Sequence, residues 1–289
     1  MADGIHIIKA SGEKVDFNPQ KLLHSLRRAG AGRERADAIA RAVTREIREG
    51  MTTKEIYQLA HRMLRKERHS AAARYSLKQA LLALGPSGFP FEQFIARLLE
   101  ADGYAVETGL LRDGRCITHE IDILARDNSR VLFGECKYHQ RQSLISDIKV
   151  PLYIHSRFRD LESGFFSAPE WKDLTIEGWI FTNTRFTDDA LQYGRCAGMH
   201  LISWDTPFDY GLRDWVDRTG PHPLSCLTTL TRREKESLLE NKIVLAKDLL
   251  ANPATLDILR LAPTRKRGVL EEAEQLCLPP AENTGGSRA

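Results

Sequence analysis

The sequence predicts an α/β fold, with a mixed sheet flanked by helices in the middle of the chain. One observation is a set of strand-length apolar runs, at about residues 104–112, 118–126, 130–139, 176–183 and 199–204. Another is the helical patterns beside them, at about 91–102, 143–162 and 187–198. Strands that alternate with helices in this way form a sheet covered by helices. The segment GPSGFP at 85–90 separates this region from a helical segment before it.

The first predicted domain, residues 1–87, is mostly helical. Residues 5–17 have the pattern of a short hairpin, and Asn18-Pro19 is a typical helix start. Four helices are predicted, at about 19–29, 33–49, 53–66 and 70–84, with Thr52 or Thr53 as the cap of the third. This domain has 17 Lys and Arg against 9 Asp and Glu, or +8, which leaves −5 for the rest of a chain of net charge +3. Such a basic surface suits phosphate-bearing partners, but solvated helices explain it equally well.

Composition and motifs argue against several classes of protein. The chain of 289 residues is 42% hydrophobic and 28% charged, as in soluble globular proteins. No apolar run approaches the roughly 18–20 residues of a membrane span, and no secretory leader is evident, so we expect a cytoplasmic protein without a membrane partner. The five cysteines include no C-x-x-C pair, and no P-loop motif occurs. Structural zinc and P-loop nucleotide binding are therefore not expected.

Charged residues interrupt two central runs, HEIDILA at 119–125 and FGECKYH at 133–139. If the turn between them is symmetric, opposed residues sum to 257, so that Asp122 faces Glu135 and Glu120 faces Lys137. Two carboxylates at that distance repel each other unless a cation lies between them, and Mg²⁺ or Mn²⁺ suits such oxygen donors. Lys137 would then contact a phosphate or the attacking water. The alternative is a pair of cross-strand salt bridges on a solvated face.

A helix of the form FEQFIARLLEADGY at 91–104 precedes HEIDILA and ECKY, and FTDDALQYGRCAGMHLISW follows at 186–204. Residues 89–205 thereby resemble the Mrr-like branch of the PD-(D/E)xK restriction endonuclease-like proteins, although no proline precedes Asp122. The resemblance implies a metal-dependent DNA endonuclease. It implies Asp122, Glu135 and the Cys136 backbone carbonyl as metal ligands, Lys137 on the attacking water, and Glu92 as a further acidic residue of the site. Glu92 is equally explained as a carboxylate favoured by a helix N-terminus.

The N-terminal domain also resembles a known module. IKASGEKVDFN at 8–18, MTTKEIYQLAHRML at 51–64 and AAARYSLKQALLAL at 71–84 resemble the ATP-cone, the nucleotide-sensing module of ribonucleotide reductases and their repressor. The resemblance covers residues 3–85 and implies ATP or dATP as an allosteric ligand, although Ala10 stands where the family usually has a second basic residue. The implied nucleotide-binding residues are Lys9, Asn18, Lys21, Thr53 and Tyr57. Helix capping by Asn18 and Thr53, and surface charge for the lysines, are the alternative interpretations.

The C-terminal region, residues 221–280, is predicted to be helical. LTTLTRREKESLLENKIVLAKDLL at 227–250 resembles a helix–hairpin–helix repeat, with a degenerate second copy at 256–277 and no glycine in the turn at 240–242. Contacts to a DNA backbone would come from Arg232, Arg233, Arg265, Lys266 and Arg267. A packing or dimerisation element is the alternative. Residues 281–289 are predicted to be a disordered tail.

These observations predict a Mg²⁺- or Mn²⁺-dependent endonuclease, a hydrolase of DNA phosphodiester bonds, with its catalytic domain at residues 88–220 and ATP binding as a gate. Because one site cuts one strand, a homodimer or higher homo-oligomer is expected. One alternative is an ATP-responsive DNA-binding protein with an inactive nuclease fold. Another is a nuclease that acts on RNA or branched DNA, since the same residues suit any phosphodiester.

Overall fold

The computed structural model describes residues 4–67 and 69–278, so the predicted tail at 281–289 lies outside the described residues. The chain divides into two compact units. The first joins the residues up to Ala80 with those from Leu224 onward, and the second is Leu81–Pro223. In the sequence, the second unit is thus inserted into the first. The N-terminal and C-terminal helical regions belong to the same unit.

The first unit begins with an antiparallel hairpin and five helices, of which the last ends two residues beyond Ala80. The strands are β1 (His6–Ile8) and β2 (Lys14–Asp16). The helices are α1 (Pro19–Arg28), α2 (Arg33–Glu46), α3 (Thr53–Glu67), α4 (His69–Tyr75) and α5 (Leu77–Leu82). The helix predicted at 70–84 is interrupted at Ser76, which separates α4 from α5. The N–H of Ser76 still donates to the carbonyl of Ala72 at 3.0 Å, and its hydroxyl donates to that of Ala73 at 2.7 Å. Apolar side chains from the hairpin and from α1 to α4 share one core.

Hydrogen bonds show which of the predicted residues cap α1 and α3. The Asn18 side chain accepts the N–H groups of Gln20 at 2.9 Å and Lys21 at 3.2 Å, and so caps α1. Thr52, and not Thr53, caps α3: its hydroxyl accepts the N–H of Glu55 at 3.2 Å, and the Glu55 carboxylate accepts the N–H of Thr52 at 2.8 Å. This reciprocal pair is a capping box.

The second unit is a five-stranded mixed sheet flanked by helices, with strand order β3-β4-β5-β6-β7. Its elements are α6 (Phe89–Ala101), β3 (Ala105–Asp113), β4 (Thr118–Arg126), β5 (Arg130–Lys137), α7 (Lys149–Ser163), β6 (Thr175–Thr182), α8 (Asp188–Cys196), β7 (His200–Ile202) and α9 (Leu212–Thr219). The strands β3, β4 and β5 are antiparallel, while β5, β6 and β7 are parallel. The predicted α/β fold class is confirmed, with the helical regions before and after the sheet.

The register of β4 and β5 is the predicted one. Ile123 lies opposite Gly134 and Arg126 opposite Val131, so the opposed positions sum to 257. The turn is closed by the Asp127 carboxylate, which accepts the N–H groups of Ser129 and Arg130, both at 2.8 Å. Every residue of β5 from Val131 to Cys136 is buried. β5 is therefore the central strand of the sheet.

The prediction of a helix starting at residue 143 is wrong, because α7 starts at Lys149. The segment before α7 is extended where Ser146 pairs with the segment that precedes α8. The N–H of Ser146 donates to the carbonyl of Arg185 at 2.9 Å, and the N–H of Thr187 donates to the carbonyl of Ser146 at 3.1 Å. A backbone with these partners cannot also be helical, and the helical periodicity of the side chains does not reveal them.

The C-terminal part of the first unit contains α10 (Arg232–Glu240), α11 (Ala246–Ala251) and α12 (Pro263–Cys277). Lys242, in the turn after α10, has φ +62°, the left-handed conformation that a glycine would adopt easily. None of the described helices is long and apolar enough to span a lipid bilayer.

Hydrogen bonds link the C-terminal helices to one another and to the N-terminal ones. The Glu272 carboxylate, only 3% exposed, accepts the backbone N–H and the hydroxyl of both Thr228 and Thr229, at 2.6–2.8 Å. On α3, Arg65 donates to the carbonyl of Thr228 at 3.1 Å. The hydroxyl of Ser225 donates to the carbonyl of Ala80 at 2.9 Å. The two ends of the inserted unit therefore leave and re-enter the first unit side by side.

We expect Glu272→Gln to lower the free energy of unfolding by about 2–4 kcal/mol, since an amide places donors against donors and leaves buried groups unsatisfied. Thermal and urea unfolding followed by circular dichroism would measure the change. Glu271→Gln is the matched control, because Glu271 is exposed on the same helix. Equal stability of the two variants would contradict the role of the Glu272 carboxylate.

Candidate functional site

The two predicted carboxylates lie where β4 and β5 stop pairing. The ladder ends with Ile123 opposite Gly134. One residue beyond, the Asp122 Oδ2 accepts the backbone N–H of Cys136 at 2.8 Å. A side-chain bond thus replaces a backbone ladder bond at the end of the central strand. It fixes the Asp122 carboxylate against the segment that carries Glu135.

Glu135 is buried, with 5% of its surface exposed, and two cations contact its carboxylate. Lys137 Nζ donates to Oε1 at 2.6 Å, and Arg157 Nη1 donates to Oε2 at 2.7 Å. Arg157 also donates to the backbone carbonyl of Glu120. Its guanidinium therefore links α7 to both β4 and β5.

Arg157 is the site residue that the sequence did not predict. The signal for it lies in the pattern of α7. Ile154, Arg157, Phe158 and Leu161 follow the i, i+3, i+4, i+7 spacing of one helix face, and Ile154 and Leu161 are fully buried. A charged side chain on a buried helix face is unfavourable unless it forms an ion pair or has a function.

Burial and neighbouring charges shift the pKa values of the site carboxyls. The pKa of Asp122 is raised from 3.8 to about 7, first by burial and then by the charges of Glu135 and Glu92; the Cys136 N–H and Lys137 act in the opposite direction. The pKa of Glu92, on α6, is also raised, first by burial and then by Glu120 and Glu135. The structure thus brings Glu92, Asp122, Glu135 and Lys137 into one neighbourhood. Carboxyls with raised pKa values in such a group gain from a bound cation.

Cys136 lies between the two charged residues of the motif, and its side chain is buried. Burial, followed by the charges of Asp122, Glu92 and Glu135, raises the thiol pKa well above its ordinary value. The thiol is therefore protonated at neutral pH and is a poor metal ligand. The sequence assigned the backbone carbonyl of Cys136, and not its thiol, to the metal, and that assignment stays a prediction.

The donor set fits a hard divalent cation. Two carboxylates, Asp122 and Glu135, and one backbone carbonyl, Cys136, are oxygen donors of the kind that Mg²⁺ and Mn²⁺ prefer. Among residues 4–67 and 69–278, no group of three or more His, Cys, Asp or Glu side chains is arranged to hold a metal ion. A cation here would therefore take two side-chain ligands besides the Cys136 carbonyl, and water or substrate would complete its coordination.

The chain beyond Lys137 is held by polar side chains. The Tyr138 hydroxyl donates to the carbonyl of Leu82 at 2.8 Å. Asn183, after β6, accepts the N–H of His139 at 2.8 Å and donates to the carbonyl of the same residue at 2.8 Å. These bonds fix the backbone on the C-terminal side of Lys137, and so limit the directions in which its ammonium can point.

In the first unit, the backbone brings two of the predicted nucleotide-binding residues to neighbouring positions. The N–H of Ile8 donates to the carbonyl of Met51 at 3.0 Å, and Ile8 and Thr52 form a parallel bridge. Lys9 and Thr53 directly follow these bridged residues. The ammonium of Lys9 forms an ion pair with Glu13 at 2.9 Å on the partly exposed hairpin.

The other three predicted residues have different settings. Asn18 is the cap of α1, and Lys21 is exposed on that helix. The ring of Tyr57 stacks on that of Tyr75, with centroids 5.3 Å apart and an interplanar angle of 6°. Burial, and then Cys226, raises the pKa of the Tyr57 hydroxyl. Tyr57 therefore faces the interior of the first unit.

The basic residues predicted to contact DNA from the C-terminal region are largely engaged within the protein. Arg265 bonds to the Glu234 carboxylate at 2.8 Å, and Lys266 bonds to Asp257 at 2.7 Å. Arg232, 92% exposed at its side chain, pairs with Glu236 within α10. Internal pairing of Arg265 and Lys266 lowers the positive charge that this region can offer to a phosphate backbone.

Comparisons with known proteins agree with this organisation. Residues 5–80 match the model of the ATP cone domain, and residues 222–277 match the model of the AF1548-like, C-terminal region. The chain therefore has an ATP-cone domain near its N-terminus, as predicted. An uncharacterized protein of Archaeoglobus fulgidus is 30% identical over 184 residues, which cover 63% of this chain and 99% of that protein. The chain belongs to the family of this archaeal protein.

Two solved structures are similar to this chain. The crystal structure of AF1548, a protein of unknown function, has a TM-score of 0.53 and 27% identity over 66% of this chain and 98% of that chain. The MspJI restriction endonuclease in complex with a 27-mer oligonucleotide has a TM-score of 0.36 and 14% identity, over 73% of this chain and 44% of that chain. The latter likeness is too distant to establish a common fold.

We expect Asp122→Asn to stabilise the protein at pH 8 and to have little effect near pH 4. The raised pKa of Asp122 means that the folded protein binds this proton more tightly than the unfolded chain between pH 3.8 and about 7. The favourable contribution of the protonated carboxyl is therefore complete below that window and is lost as the pH rises through it. An asparagine keeps an oxygen that can accept the Cys136 N–H.

Urea unfolding from pH 4 to 8 would measure this difference through tryptophan fluorescence, since residues 171, 179, 204 and 215, the four tryptophans, all lie in the second unit. Asp127→Asn is the contrasting control. The pKa of Asp127 is lowered to about 2, mainly by the Ser129 N–H, so its loss should destabilise the protein at neutral pH. An Asp122→Asn variant with a lower free energy of unfolding than the wild type at pH 8 would contradict the prediction.

Proposed function

We propose that the second unit is a Mg²⁺- or Mn²⁺-dependent endonuclease of the Mrr-like PD-(D/E)xK type, which hydrolyses phosphodiester bonds of DNA. The observation that carries the proposal is the meeting of Asp122, Glu135 and Lys137 at the end of the central strand, where the Asp122 carboxylate bonds to the backbone between the other two. Residues of these types in this order are those of the nuclease motif. We place this activity in the cytoplasm. A homodimer would provide one site for each strand, so that both strands could be cut.

Each site residue has a role that follows from its setting. Asp122, Glu135 and the carbonyl of Cys136 would hold the cation, which when bound would polarise a phosphate oxygen and lower the pKa of a water. The side chain of Lys137 is 33% exposed, so its ammonium reaches both Glu135 and solvent. It would orient the attacking water and offset the charge that develops on the phosphate. Glu92 would add a carboxylate beside the cation from α6.

We also propose that ATP or dATP binds the ATP-cone domain and regulates the nuclease. Lys9 and Thr53, adjacent through the Ile8–Thr52 bridge, would contact the nucleotide, and Lys21 on α1 would add a second positive charge. Asn18 would contribute through its position at the start of α1. Tyr57 is the fifth proposed nucleotide-binding residue. Because its ring packs on Tyr75, it would contact the nucleotide from the interior side of the domain.

A second candidate function is ATP-responsive DNA binding without cleavage. One observation favours it: the charge of Glu135 is already satisfied by Lys137 and Arg157. A carboxylate that is already paired with two cationic side chains needs no metal ion for its own stability. Cleavage of RNA or of branched DNA is a further alternative for the same residues, and substrates of those kinds belong in the assay.

We expect the purified protein to nick or cut plasmid DNA with Mg²⁺ or Mn²⁺, and Asp122→Asn, Glu135→Gln and Lys137→Gln each to lower the rate by about 10²–10⁴-fold. The assay would be run with and without ATP, and with chelator as a blank. Lys149→Gln and Glu162→Gln, at exposed or partly exposed positions of α7, are matched controls. If the wild type cuts none of the substrates under any condition, yet binds DNA, the non-cleaving alternative replaces the proposal.

We expect Lys9→Gln and Lys21→Gln each to weaken ATP binding roughly tenfold, because a charge-assisted contact to a phosphate contributes about 1.5–3 kcal/mol. Isothermal titration with ATP and dATP would measure the affinities. Lys66→Gln, exposed at the other end of α3, is the matched control. Equal affinity of all three variants would remove these lysines from the nucleotide site.

A further inference from the structure

Glu135 has an arrangement that a metal ligand alone does not explain. Both of its oxygens accept a bond from a cation, Oε1 from Lys137 at 2.6 Å and Oε2 from Arg157 at 2.7 Å. Lys137 belongs to the nuclease motif, but Arg157 comes from a separate element, α7. A guanidinium charge at this distance repels a divalent cation that approaches the same carboxylate. Arg157 and the cation therefore compete for Glu135.

The setting of Arg157 allows it to change partners. Its side chain is 11% exposed and lies near two rings, with the guanidinium carbon 6.0 Å from the centroid of Phe133 and 5.6 Å from that of Tyr153. Phe133 is fully buried, whereas Tyr153 is 63% exposed. The guanidinium is thus near both a buried ring and a largely exposed one. Rotation of the side chain could move it outward without a change in the backbone.

An arginine released from Glu135 needs another anion. A largely buried guanidinium without a counter-charge is unfavourable, even with its bond to the Glu120 carbonyl, so it moves to a negative group. In a site that cleaves phosphodiesters, that group is a phosphate of the nucleic acid. The planar fork of arginine matches two phosphate oxygens, which the point charge of a lysine does not.

We propose that Arg157 is an exchangeable counter-ion, an inference that rests on the proposed nuclease function. Without a divalent cation, Arg157 neutralises Glu135 and keeps the site folded. When the cation binds Glu135, Arg157 leaves that carboxylate and contacts a phosphate of the nucleic acid. Metal binding and nucleic-acid binding are thereby coupled through one side chain.

Two measurements on Arg157→Met test the exchange. Isothermal titration with MnCl₂, without nucleic acid, should show tighter binding than in the wild type, by about tenfold, because the competing charge is gone. Fluorescence anisotropy with a labelled DNA duplex in CaCl₂ should show binding weaker by about tenfold, because a charged contact to phosphate is lost. A purely structural role for Arg157 would weaken both, or neither.

Two further variants separate the charge from the fold. Arg159→Met is the matched control, since Arg159 lies on the same helix, is 65% exposed and pairs with Glu162; both affinities should stay at their wild-type values. Arg157→Lys keeps the charge, so its Mn²⁺ affinity should remain close to that of the wild type. If Arg157→Met does not fold, as judged by circular dichroism, Arg157→Gln carries the same expectations.

The failure of this inference differs from the failure of the proposed function. If the wild type shows no Mn²⁺ binding that Glu135→Gln removes, the metal-dependent nuclease itself is contradicted. If that binding is present, but folded Arg157→Met binds Mn²⁺ no more tightly or binds DNA as well as the wild type, the exchange is overturned and the nuclease stands.

Discussion

The register of β4 against β5 is the constraint on which the second unit depends. With Ile123 opposite Gly134, Asp122 meets the backbone of Cys136 at the point where the ladder ends. A shift of one residue would turn the Asp122 carboxylate to the other face of the sheet and bury charged groups in place of apolar ones. Core packing and site geometry therefore require the same register. A sequence whose core packs in this register therefore also has the correct site geometry, with no separate interaction needed to set it.

That dependence explains why much of the site could be predicted from the sequence. The turn residues Asp127 to Arg130 fix which positions oppose one another, and the unbroken apolar run of β5 identifies it as the central strand. The stripe on α6 from Phe91 to Leu99 is fully buried, as its periodicity indicates. In these places local pattern and tertiary packing agree, and the pattern is sufficient.

Other features depend on contacts between residues far apart in the chain, which periodicity does not contain. Arg157 reaches Glu135 only because α7 packs on the sheet in one particular rotation. The late start of α7 depends on a backbone pairing between Ser146 and the segment before α8. Likewise, the sequence separates the N-terminal and C-terminal helices, whereas bonds such as that of Ser225 to Ala80 join them into one unit. Only the folded structure reveals which distant segments are partners.

The hydrogen bond between Ser225 and Ala80 lowers the conformational entropy of the inserted unit when that unit is unfolded. While the first unit is folded, both ends of Leu81–Pro223 are held at one place, so that this segment can unfold only as a closed loop. A closed loop has fewer conformations than a free chain, and the folded inserted unit is stabilised accordingly, as it would be by a crosslink between its ends. A ligand that keeps the first unit folded therefore also stabilises the second, with no need to touch it.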